Sequence, residues 1–70
     1  MVEVFKTNVQ EEYHGLELTN LLLQHFPFGK INFDIEDCDK VLRIESHYVN
    51  SEHVILLLQE KGFNCERLPD

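Results

Sequence analysis

Ile31-Asn32-Phe33-Asp34-Ile35-Glu36 alternates strictly between large apolar and polar side chains. Because side chains on a strand repeat every two residues, this places three apolar groups on one face and three polar groups on the other. Asp37-Cys38-Asp39 reads as a turn. Val41-Leu42-Arg43-Ile44-Glu45 then returns as the second arm of a hairpin, with Leu42 and Ile44 predicted to face inward. A hairpin with one apolar face needs a covering layer, and amphipathic segments lie on both sides of it in the sequence.

Upstream, Leu18, Leu21, Leu22 and His25 fall at i, i+3, i+4 and i+7, which is one face of a helix. Gly15 shares that face, where a missing side chain lets the backbone approach a sheet at about 1 kcal/mol of helix propensity. Asn8 followed by Glu11 predicts a capping box at the start, and Phe26-Pro27-Phe28-Gly29 ends the element. Before it, Val2–Thr7 is rich in β-branched and aromatic residues and reads as a strand. Which of Val4 and Phe5 faces the helices is left open by the pattern.

Downstream, Asn50 predicts a helix cap, with Val49 able to staple onto Val54. Val54, Leu57 and Leu58 form the buried stripe, and Lys61-Gly62 supplies a cation and a left-handed residue at the end. Residues 63–68 form a last strand with Phe63 and Cys65 on one side. The order is βαββαβ, the split arrangement of an α+β ferredoxin-like sandwich: a four-stranded antiparallel sheet with two helices on one face. Residues 1–70 contain no linker or low-complexity run, so a single domain is expected.

Six basic against thirteen acidic residues give a formal charge of −7, and the basic ones are scattered. Phosphate binding requires concentrated Lys and Arg, so neither nucleic acid nor an anionic membrane surface is an expected partner. Met1-Val2-Glu3-Val4-Phe5-Lys6 lacks the basic and apolar regions of a signal peptide, and no run approaches the ~20 apolar residues of a membrane helix. A cytoplasmic protein is the expectation. Cys38 and Cys65 have no zinc or redox spacing. With two strands between them in the expected 4-1-3-2 sheet order, both are predicted to be free thiols.

The element lengths, and the segment from Val54 to Phe63 with Gly62 before an aromatic and a short last strand, resemble a heavy-metal-associated domain over nearly the whole chain. The resemblance implies a Met-x-Cys-x-x-Cys segment after the first strand, whose thiolates bind a soft ion such as copper(I). Here Val9 stands at the methionine position, and Glu11 and His14 stand where the cysteines would be. Lys61 matches the family's residue near the metal loop. The thiolates are missing.

Glu11 and His14, at i and i+3, share a helix face and suit a borderline divalent ion rather than copper(I). Two donors make a weak site, so a third is needed from the hairpin, where Asp37, Cys38 or Asp39 lies at the same end of the expected sheet. The four histidines are dispersed and no nucleophile and base stand in a recognisable pattern, so an enzyme is not expected. No organic cofactor is implied. If Leu18, Leu21 and Leu22 face the sheet, Tyr13, Leu16 and Leu23 lie on another side of the helix, either inside a wide buried face or as an apolar stripe for a partner. The expected function is a binding module for a protein partner or for a second copy of itself, with divalent metal handling at Glu11 and His14 as the alternative.

Overall fold

The computed structural model describes residues 1–69. The elements are β1 (Val2–Thr7), α1 (Glu12–His25), β2 (Lys30–Asp34), β3 (Val41–Glu45), α2 (Ser51–Glu60) and β4 (Cys65–Arg67). All neighbouring strands are antiparallel in one sheet of order β2-β3-β1-β4, the layout of a ferredoxin-like βαββαβ fold. Among the described residues no helix is long and apolar enough to cross a membrane.

Register decides which residues meet the helices. Phe5 pairs with Leu42, and Leu42 in turn with Phe33, while Ile44 lies opposite both Glu3 and Ile31. Directly opposed residues share a face, so Glu3, Phe5 and Thr7 of β1 point inward and Val2, Val4 and Lys6 point to the open face. Phe5 is completely buried. It joins Leu42 and Ile44 from the sheet, Leu18 and Leu22 from α1, and Val54, Leu57 and Leu58 from α2 in one core. The open question about Val4 is thereby answered: it is only half-buried, outside the core.

Local chemistry explains the ends of α2. Asn50 Oδ1 accepts from the amides of Glu52 and His53 at 3.1 and 3.4 Å, as its cap position predicts. Val49 and Val54 are both buried in the same core. At the other end Gly62 has φ +90, its amide donates to Gln59 O, and the Phe63 amide donates to Leu58 O. This pair of bonds is a Schellman motif, which requires a left-handed residue at Gly62. A Cβ at position 62 meets nothing within 4 Å, so Gly62→Ala carries a backbone cost alone. It should destabilise the chain by about 1–2 kcal/mol in urea denaturation, with unchanged spectra for the folded state.

Three expected boundaries are corrected. Helix α1 begins one turn later than a capping box at Asn8 predicts: Glu11 is its N-cap residue and makes no side-chain cap bond. Asn8 Oδ1 instead accepts from the Asn64 amide at 2.8 Å, tying the entry of α1 to the chain before β4. Strand β2 stops at Asp34 although the alternation continues, because Lys40 folds back and its Nζ donates to Ile35 O at 3.0 Å. Strand β4 is three residues long, since Phe63 belongs to the α2 ending. His25, placed by periodicity on the buried side of α1, is exposed beyond Leu22.

Candidate functional site

Helix α1 divides its leucines. Leu18 and Leu22 are buried and Leu21 packs partly against the core, while Leu16 is 66% exposed, Tyr13 59% exposed, and Leu23 also reaches solvent. Of the two readings of Tyr13, Leu16 and Leu23, the wide buried face is thus excluded for these residues. Gly15 lies on the buried side, where an added Cβ would stand 3.3 Å from Ile35 Cδ1 and 3.9 Å from Phe33 Cβ. This close approach lets α1 ride low over β2. Beside it runs a groove of about 480 Å3 between α1 and β2, lined by Leu16, Thr19, Ile31, Phe33 and Ile35 among others.

The groove follows from the position of β2 at an edge of the sheet. Ile31 and Phe33 point toward α1 but have a neighbouring strand on one side only, so both remain half-exposed. The other edge, β4, is short and runs into Leu68-Pro69, where proline removes a backbone donor. Lys30–Asp34 is longer and contains no proline.

Glu11 and His14 occupy the first turn of α1. The His14 ring lies tilted against Tyr13, centroids 4.2 Å apart, and edge-on to Phe63 at 5.0 Å. These aromatic contacts account for its half-buried position. Asp37, Cys38 and Asp39 bring ligand atoms within 4.8 Å of one another, but neither Glu11 nor His14 joins that group. Asp37 Oδ1 accepts from the Asp39 amide at 2.8 Å, and Asp39 O accepts from the Thr7 amide at 3.1 Å, so the turn uses these groups to hold its own shape.

A different pair is assembled. His53 Nε2 lies 3.2 Å from His25 Nδ1, with ring centroids 4.9 Å apart. One nitrogen donates and the other accepts, according to tautomer. In the sequence 28 residues separate these two, so the histidines read as dispersed. The available signal lay in the fold: βαββαβ winding brings the end of α1 to the beginning of α2, and these residues occupy those ends.

Both cysteines are free; Cys38 is exposed and Cys65 is partly covered. Burial pushes the Cys65 thiol up to about 12 from an ordinary value of 9.0. At pH 8 an alkylating reagent should therefore modify Cys38 readily and Cys65 only as the chain opens, a difference that peptide mass spectrometry resolves. The same shift fixes a sign. The unfolded thiol ionises near 9.0 while the folded one stays protonated, so this group's contribution to stability is complete below pH 9 and is lost as pH rises toward 12.

No protein-family model, curated protein or solved structure matches the chain.

Proposed function

We propose that this chain is a non-enzymatic binding module, heavy-metal-associated in shape, that recognises a protein through the outer side of α1 and the groove beside it. The observation that carries this reading is the exposure of Leu16 and Tyr13 next to a groove floored by Ile31 and Phe33. An apolar surface of this kind loses free energy on leaving water, at about 25 cal/mol per Å2 buried, and is otherwise a liability in a small domain. The charge of −7 narrows the partner to a basic surface or to one whose contact is mainly apolar.

A photoreactive residue in place of Leu16, introduced in the cells that make the protein, tests the reading. Discrete cross-linked adducts are expected, and they should disappear when Tyr13 and Leu23 are changed to serine. Absence of any adduct, with a control residue on the open face behaving identically, removes the proposal.

A second reading, divalent metal handling at a weak site of two protein donors, rests on His25 and His53 rather than on Glu11 and His14. Two imidazole ligands at about 2.0–2.1 Å from a tetrahedral zinc ion stand about 3.3 Å apart, close to the separation of these two nitrogens. Binding would replace the shared proton with the ion. Titration with zinc, copper(II) and nickel should then perturb the His25 and His53 ring resonances and leave His14 unmoved. Uniform silence at millimolar metal dismisses this reading.

A further inference from the structure

We infer that the partner is a second copy of this chain, joined through antiparallel pairing of β2 with β2 of the other copy. The inference rests on the binding-module reading and names its occupant. Three observations carry it. First, β2 is the longer edge of the sheet and contains no proline, so it presents unpaired backbone groups along Lys30–Asp34. An antiparallel neighbour satisfies those groups, as strand addition does wherever a sheet edge binds an extended segment.

Second, Lys30-Ile31-Asn32-Phe33-Asp34 is complementary to itself when reversed. A two-fold axis perpendicular to the sheet, midway between Asn32 and its counterpart in the second copy, sets Lys30 opposite Asp34 of the second copy, and Ile31 opposite Phe33. Both contacts recur on the other side of the axis, as an isologous interface requires. The strand alternation separates them by face. On the open face Lys30 already lies opposite Glu45 of β3, so a row Glu45, Lys30 and the second copy's Asp34 would alternate in sign across the junction. On the inner face the apolar pair closes the side of the core that β2 leaves half-exposed. Shifting the register by one residue would set lysine and aspartate against apolar groups.

Third, this axis keeps both α1 helices on the same side of the joined sheet. Leu16 borders the groove above β2, and Leu23 lies two turns further along α1. Strand pairing alone buries little area, and closing the two grooves on each other adds the apolar surface that a stable contact needs. The high negative charge of each copy opposes association, so moderate salt should tighten it while strong salt weakens the lysine–aspartate contacts.

Sedimentation equilibrium from micromolar to millimolar chain tests the inference. The expected result is a monomer–dimer equilibrium that Asp34→Lys weakens about tenfold, because two attractive pairs in each dimer become repulsive. Lys30→Asp also sets a like charge against Glu45 within the chain, so it is compared with its own thermal melt, and the double variant Lys30→Asp/Asp34→Lys should recover most of the association lost in Asp34→Lys. Thermal melts that match the wild type exclude misfolding of Asp34→Lys, whose neighbour within the chain is the uncharged Val41. Amide exchange at β2 should slow with concentration. A wild-type chain that stays monomeric throughout overturns the inference, and so does a dimer indifferent to Asp34→Lys. If that dimer is lost in Leu16→Glu, or if the Leu16 cross-links lead only to other proteins, the binding-module reading survives without the β2 pairing. Monomer behaviour together with no cross-link removes both.

Discussion

Phe5→Ala should remove about 3–5 kcal/mol, roughly a third or more of the stability of the chain. Strand β1 is flanked by β3 and β4, and Phe5 stands at the centre of the inward face, wholly buried among side chains from both helices. Removing a buried phenylalanine ring costs about 3–5 kcal/mol, from lost transfer energy and the cavity left behind. A domain of this length has about 3.5–10 kcal/mol of total stability at 0.05–0.15 kcal/mol per residue. The loss therefore equals the whole at the lower end of that range and about a third to a half of it at the upper end. Urea denaturation followed by far-ultraviolet circular dichroism measures it, and Phe5→Leu should retain a cooperative transition because it fills most of the space. A change below about 1 kcal/mol in Phe5→Ala is incompatible with an inward Phe5.

Arg67→Ala should cost about 2 kcal/mol, far more than a surface arginine usually does. The reason is Glu3, which faces the helices beside Phe5 with its side chain only 8% exposed. Arg67 Nε donates to Glu3 Oε2 at 2.7 Å across the β1–β4 ladder. Without the guanidinium a largely desolvated carboxylate loses this charge-assisted donor, which costs more than the pair contributes when intact. Arg67 is itself 47% exposed, which holds the loss below that of a fully buried pair. Glu3→Met should be close to neutral, since it trades an ion pair for apolar packing. In that background Arg67→Ala should lose most of its effect. A double-mutant cycle by urea denaturation reads the coupling, and additive losses would disprove the mechanism.

Glu3 also shows where binary patterning fails. Strand β1 offers apolar groups on both sides, Val2 and Val4 against Phe5, and a polar residue normally marks the outside. Here the glutamate is inside because Arg67, 64 residues away, reaches it. Asn8 misleads in the same manner, its side chain being engaged by Asn64 rather than by its own helix. What was legible depended on neighbours in sequence: the Asn50 cap, the Gly62 ending and the alternation of β2 are each determined within a few residues. The exposure of Leu16 was not, because a helix with leucine on several sides can bury any of them until the sheet's width is known. Nor was the meeting of His25 and His53, which needs the two helices placed.

Thr7 ends β1 with an inward hydroxyl that donates to Lys40 O and accepts from the Val9 amide. Together with the Asn8 contact to Asn64, this clamps the segment entering α1 from both flanks, and Val9 is sealed in the core. Engineers wishing to install a thiolate chelate by Glu11→Cys and His14→Cys would inherit a stiff mouth. An incoming ion would have to be accommodated by a preset geometry, which favours selectivity over rapid hand-off to an acceptor.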